Sequence, residues 1–333
     1  MKRKLRMLSC IGLLVITLSG CNRISWRMDK VYTEDDMIHF YSDKVAIDEI
    51  TKIEVDSNYA DFEIIASDNY YVEYSYYYIN NEPNLSMEDG TFIFSDNNMN
   101  TGSYSIQQRE DNYLKIYVPS TCDFESITIQ KSSGNCSIGG FLTDELNVSN
   151  SYGNTVISNC IATQTDIEVS SGKLTLENSD LSVAQIDNEY GEVEINKVNH
   201  EDHWMDSLSI NMSSGKLNLS NLYCKELELK NNYGENELTS LTLEKLKGDF
   251  DSGNVIITDI LVDEIDIKNS YGNIAMELLG KVDDYKYDIS SEYGIVKIGD
   301  NSYKNNVSID HGGEKEISLN VSSGNIKIIF TEQ

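Results

Sequence analysis

Glycine returns in this chain at a nearly fixed interval. It stands at Gly134, Gly153, Gly172, Gly191, Gly215, Gly234, Gly253, Gly272, Gly294 and Gly324, with spacings of 19, 19, 19, 24, 19, 19, 19, 22 and 30 residues. A constant period of this size belongs to stacked supersecondary units, none of which buries its apolar face alone. Apolar residues alternate with polar ones on both sides of the turn. Two and four residues after it stand Leu174/Leu176, Val193/Ile195 and Leu217/Leu219, and seven and five before it Leu208/Ile210, Leu227/Leu229 and Ile265/Ile267. A period of two is the mark of strands with one buried face. The spacing therefore predicts an all-β, single-chain β-solenoid (β-helix) with coils of about 19 residues. The longer intervals before Gly215 and Gly324 read as loops inserted into an ordered stack. An antiparallel sandwich would accommodate the strands but not the constant period.

The residue before the glycine varies in a second rhythm. Where it is Tyr152, Tyr190, Tyr233, Tyr271 or Tyr293, the residue two places earlier is Asn150, Asn188, Asn231, Asn269 or Ser291. Where it is Ser171, Ser214, Ser252 or Ser323, that place holds Val169, Met212, Phe250 or Val321. The first repeat, with Lys131 and Ser133, departs from the rule. Positions two apart on a strand share a face. A large residue at one exchanged for a small one at the other resembles volume conservation in a close-packed interior. The five tyrosines are therefore expected to pack inward at the coil corner. In "KIEVDSNYADFEI", Ile53, Val55, Tyr59, Phe62 and Ile64 fit the same inward template, with Ala60 in the glycine's place.

The N-terminus carries a different signal. Basic Lys2, Arg3, Lys4 and Arg6 precede twelve apolar-rich residues from Met7 to Leu18, too few to span a bilayer comfortably. Leu18-Ser19-Gly20-Cys21 follows and resembles the lipobox of bacterial lipoproteins. The resemblance implies a lipoprotein signal peptide over 1–20, cleavage before Cys21 and lipidation of its thiol. A lipidated tether over 21–45 would then lead into a solenoid domain over 46–333, irregular over 46–130 and regular over 131–333. Such a chain would be exported and anchored to the outer face of the bacterial cytoplasmic membrane.

The full chain has 26 basic and 55 acidic residues, a net charge of −29. Removing four basic residues and no acids leaves 22 against 55, or −33. Nucleic acid is excluded as a partner on that balance. Cys122, Cys136, Cys160 and Cys224 show no paired spacing, so free buried thiols are expected despite export.

Chemistry is sparse. His200 and His203 lie in "NHEDHW" beside Glu201 and Asp202, a grouping that resembles a metal-ligand cluster but lacks a third fixed ligand. It reads as an exposed loop. No GxSxG elbow occurs, and the recurrent serines have no recurrent base. No catalytic, metal or cofactor-binding residue is assigned, and the outward acids suit at most weak Ca2+ association.

From about Ile50 to Phe330 the recurrent turns Ser132–Asn135, Ser151–Asn154, Ser170–Lys173, Ser213–Lys216, Ser270–Asn273 and Ser322–Asn325 resemble those of a bacterial β-strand-repeat domain of unknown function, catalogued as a putative adhesin. "LKIYVP" over Leu114 to Pro119 adds to the likeness. The resemblance implies an envelope-associated solenoid without catalytic residues. The expected role is a non-enzymatic binding or structural module, joined to the membrane by its lipid and meeting an envelope glycan or protein. An envelope-stress sensor acting through a membrane partner is the alternative, and a polysaccharide-active β-helix enzyme a remoter one.

Overall fold

The structure is a computed structural model that describes residues 38–78, 82–96 and 112–331. Cys21 and the signal segment lie outside the described residues. Apart from a 3-10 turn at Val282–Asp284, the described elements are strands.

Successive coils pair in parallel, and the offset between partners is the period of the sequence. Leu142 meets Ile161, Val148 meets Ile167 and Tyr152 meets Ser171. Across the longer interval the offset becomes 24, with Val183 against Ser207 and Gly191 against Gly215. The extra residues leave as a loop around His200–Trp204, and the strands on either side keep their faces. Inward side chains form one continuous column. Ile129, Val148, Ile167, Ile186 and Ile210, at the same place in successive coils, are all essentially inaccessible. Burying each of these removes an aliphatic side chain from water, a stabilisation of about 2 kcal/mol apiece before chain entropy is counted. Cys122, Cys136, Cys160 and Cys224 are free and buried as expected. Burial pushes the Cys136, Cys160 and Cys224 thiols up to about 12, where they are neutral and poor nucleophiles at ordinary pH.

The ends depart from a simple ordered stack. The coil containing Lys315–Ser323 and Ile326–Thr331 does not follow the one before it in space. It inserts between Glu264–Leu279 and Tyr285–Ile298, pairing in parallel with both. The residues before Gly324 are thus not merely a loop on an ordered stack. They include Asn301–Lys304 and Val307–Asp310, which pair antiparallel along the outer edge of the Tyr285–Ile298 coil. The other end repeats the device. Thr91–Ser95 and Tyr113–Pro119 form a layer below Lys52–Ser67, and antiparallel Asn84–Glu88 and Tyr71–Tyr78 cover that layer. Ile38–Ala46 then pairs antiparallel with Tyr71–Tyr78. An open parallel stack would offer a row of free amides and carbonyls at each end, a template for aggregation. Reversing strand direction at both ends interrupts that template.

A second corner, not recognised in the sequence, lies six residues after the glycine. Asn159, Asn178, Lys197, Asn221, Ser240 and Asp259 all have left-handed backbone there, with φ between 49° and 58°. Asn and Asp tolerate this region better than other side chains, and their recurrence at this place was the legible signal.

Candidate functional site

The glycines stand directly above one another. A Cβ built on Gly215 would lie 1.8 Å from the carbonyl oxygen of Gly191, and one on Gly191 would lie 1.9 Å from that of Gly172. The same contact relates each member to the next in the order Gly134, Gly153, Gly172, Gly191, Gly215, Gly234, Gly253, Gly272, Gly324, Gly294. Ala60 occupies the place below Gly134. The column brings backbone so close to backbone that no side chain fits.

Three residues before the glycine, the side chain points inward. Asn150, Asn188, Asn231, Asn269 and Ser291 are buried, as are Val169, Met212, Phe250 and Val321. The polar members reach the coil beneath. Asn150 Nδ2 donates to the Gly134 carbonyl at 3.1 Å, Asn231 Nδ2 to Gly215 at 3.3 Å and Asn269 Nδ2 to Gly253 at 3.0 Å. The Ser291 hydroxyl donates to the Gly324 carbonyl at 3.0 Å. Lys131, the exception in the sequence, does the same with its ammonium and the Ala60 carbonyl. These groups satisfy carbonyls that the tight glycine turn removes from the strand ladder.

Asn188 breaks that pattern, because neither its Oδ1 nor its Nδ2 has a hydrogen-bond partner. Its cross-coil neighbour is Met212. Asn188→Val is therefore expected to stabilise the chain by about 1 kcal/mol, since it removes a buried unsatisfied amide. Asn231→Val loses two hydrogen bonds, to Gly215 and to Asn236 Oδ1 at 2.9 Å, and should destabilise it by a similar amount. Urea unfolding of both variants checks this, and destabilisation of Asn188→Val would refute it.

The expected inward packing of the tyrosines is wrong. Tyr152, Tyr190, Tyr233, Tyr271 and Tyr293 are 65, 62, 63, 66 and 76% exposed, and Tyr59 is half-buried. Positions two apart share a face only where the pleat continues, and here it does not reach the glycine. The pairing instead runs from Asn150–Val169 to Tyr152–Ser171 with Ser151 left out, and from Asn188–Met212 to Tyr190–Ser214 with Glu189 left out. The pleat ends there, and the next side chain emerges on the outside. Small-for-large exchange thus occurs on two sides of the wall, not within one interior.

The outer positions form an ordered line. Following the glycine column, they read Tyr59, Ser133, Tyr152, Ser171, Tyr190, Ser214, Tyr233, Ser252, Tyr271, Ser323 and Tyr293. In the sequence Tyr271 and Tyr293 belong to consecutive repeats. Insertion of the last coil places Ser323 between them, paired with both. Alternation is therefore strict in space where it is broken in sequence. Each serine is half-buried between layers that carry the rings.

The margin beyond the glycines is polar and self-satisfied. Asn135 Oδ1 accepts from the Asn154 amide at 3.2 Å, and Asn154 Oδ1 from the Lys173 amide at 3.2 Å. Farther along, Asn254, Asn273 and Asn325 pass the same bond upward to the Ile295 amide. Lys173 forms ion pairs with Glu192 and Glu194, and Lys216 with Glu237 at 3.2 Å. Both lysines are thus engaged by carboxylates.

His200 and His203 face Asp180 Oδ1 at 3.9 and 4.0 Å in an exposed loop, away from the glycine column. Among the described residues, no group of three or more His, Cys, Asp or Glu side chains has the arrangement of a metal site. No described helix is long and apolar enough to cross a membrane.

Solved structures that match the chain include a putative adhesin from Bacteroides fragilis, 13% identical, covering 88% of this chain and 97% of its own with a TM-score of 0.38. A putative adhesin from Parabacteroides distasonis is 14% identical over 74% of this chain and 94% of its own, with a TM-score of 0.34. A putative lipid binding protein from the same species is 12% identical over 90 and 98%, with a TM-score of 0.37. No curated protein matches the chain. The profile of one domain family matches twice, over residues 50–203 and 201–329, which together take in nearly the whole solenoid. The chain belongs to the Toastrack DUF4097 family, a domain of unknown function.

Proposed function

We propose that this protein is an exported lipoprotein, held at the outer face of the cytoplasmic membrane through Cys21, whose solenoid is a non-catalytic recognition module of the cell envelope. The observation that carries the reading is the line of exposed tyrosines. An isolated exposed ring needs no explanation, but a regular row of large aromatic groups kept in water marks an interaction surface. Tyr, Ser, Asn and Gly dominate the line and its margins, the residue types that also dominate antibody combining sites. Rings supply contact area at low entropic cost, and the small polar residues supply hydrogen bonds. Weak Ca2+ association through outward acids belongs to the same reading, as a bridge to anionic wall components that the net charge would otherwise repel.

Two measurements test the reading. In cell fractionation the native chain should remain with membranes, and Cys21→Ser should be released. Residues 22–333 should co-sediment saturably with intact peptidoglycan sacculi, more strongly with calcium than with chelator. A Cys21→Ser chain that still fractionates with membranes would overturn the anchor. Failure to pellet with or without calcium would overturn recognition of the wall.

A further inference from the structure

We infer that the tyrosine line is a docking track for an uncharged, extended β-(1→4)-linked glycan, read at one disaccharide per two coils. The inference rests on the recognition reading above and names the chemistry of its partner.

Spacing is the first argument. Coils that pair as parallel strands are about 4.8 Å apart, so tyrosines on alternate coils recur about every 9.6 Å. A β-(1→4)-linked hexopyranose chain is a flat ribbon in which each sugar is turned over relative to the last. Its repeat is the disaccharide, and the advance of that disaccharide is close to the two-coil spacing. The track can therefore meet chemically equivalent sugar faces at successive tyrosines, with only a small offset added at each repeat. From Tyr152 to Tyr293 it runs across eight coil steps, about 38 Å. A helical α-linked glucan lacks this translation and loses register after one or two contacts.

Side-chain chemistry is the second. The face of a pyranose presents C–H groups of slight positive character, and an aromatic face carries the complementary negative quadrupole. Sugar hydroxyls at the ribbon edge require polar neighbours. Ser171, Ser214, Ser252 and Ser323 between the rings supply them. The intervening residue being serine also leaves open space between rings for the alternate sugar.

Charge selects among partners. The chain is strongly acidic, and Lys173 and Lys216 beside the track are engaged by carboxylates. An anionic glycan or a second copy of this chain meets like charge, whereas a neutral glycan meets none. An apolar peptide would find rings separated by hydroxyls.

The test uses residues 22–333 and soluble β-(1→4)-linked N-acetylglucosamine di-, tetra- and hexasaccharides in isothermal titration calorimetry. Affinity should rise with each added disaccharide. Tyr190→Ser/Tyr233→Ser converts two track positions to the residue that neighbouring coils already carry, so the fold should be retained, as circular dichroism would verify. That variant should bind the hexasaccharide at least about tenfold more weakly. Linear α-(1→4)-linked glucose oligomers of equal length should not show the stepwise gain. Equal binding by the folded variant, equal binding of the α-linked series, or absence of binding to any oligomer would each overturn the inference. If the protein pellets with sacculi yet binds no oligomer, the track fails while wall recognition stands. If it does neither, both fail. Loss of self-association in the serine variant without glycan binding would put a second copy on the track and equally overturn it.

Discussion

Replacing Gly215 by alanine is expected to destabilise the solenoid by roughly 3–5 kcal/mol, a large effect for the addition of one methyl group. Two separate costs meet there. The backbone at Gly215 has φ +135°, a conformation L side chains rarely adopt. The new Cβ would also lie 1.8 Å from the Gly191 carbonyl oxygen, deep inside contact distance. Neither coil can retreat, because strands on both sides hold them in register. Gly312 separates the two costs. It has φ +81°, but nothing lies within 4 Å of its hypothetical Cβ. Gly312→Ala should therefore cost only about 1 kcal/mol, the conformational part. Because a solenoid is stabilised coil by coil, the Gly215→Ala damage should be local at first. Limited proteolysis is expected to cut near the Gly191–Gly234 coils before the ends unfold. Comparable destabilisation of the two variants in urea would show that stacking closeness is not what fixes glycine in the column.

The interval between glycines made the solenoid legible, because a parallel ladder repeats the sequence period in its register, as Leu142 against Ile161 shows. Free thiols followed from the lack of any paired cysteine spacing. The direction of the tyrosines was not legible by parity. Parity holds only while the pleat continues, and Tyr152 lies just beyond the point where it stops. The correlated Asn and Tyr were a true signal assigned to the wrong space. Asn150 serves the interior by meeting the Gly134 carbonyl, and Tyr152 faces water. Coil order at the C-terminal end was hidden for another reason. Any coil with the right inward pattern fits any neighbour, so local sequence does not encode its place in the stack. The one visible trace was the pair of consecutive Tyr repeats, Tyr271 and Tyr293, where the alternation demanded a serine coil between them. Lys131 breaks the pattern in sequence and keeps it in space, because its ammonium takes the role of the asparagine amide.

Asp96 should give the largest pH-dependent effect. It is 1% exposed, in the layer that begins the stack. Its Oδ1 accepts from the Asn58 amide at 2.6 Å, and its Oδ2 accepts from the Ser57 hydroxyl at 3.1 Å. Burial pushes its carboxyl from 3.8 up to about 6, with those hydrogen bonds and the Lys131 charge opposing the rise only in part. The folded state thus holds this proton more tightly than the unfolded chain. Below the unfolded value both states are protonated and the group favours folding most. As pH rises from about 4 to about 6 the unfolded chain alone gains by ionising, and stability from this group declines. Above that window the loss is complete, and its upper bound is roughly 3 kcal/mol at 1.36 kcal/mol per pH unit. Asp96→Asn removes the titration and keeps one acceptor for the Asn58 amide. The stability difference between variant and native protein should therefore be lowest near pH 4, grow in the variant's favour by about 2 kcal/mol through pH 6, and then level off. Taking the difference cancels the many carboxylates common to both chains. A difference that stays flat from pH 4 to 7 would mean that the buried carboxylate is as well stabilised in the fold as in water, through its amide, its hydroxyl and the ammonium of the neighbouring coil.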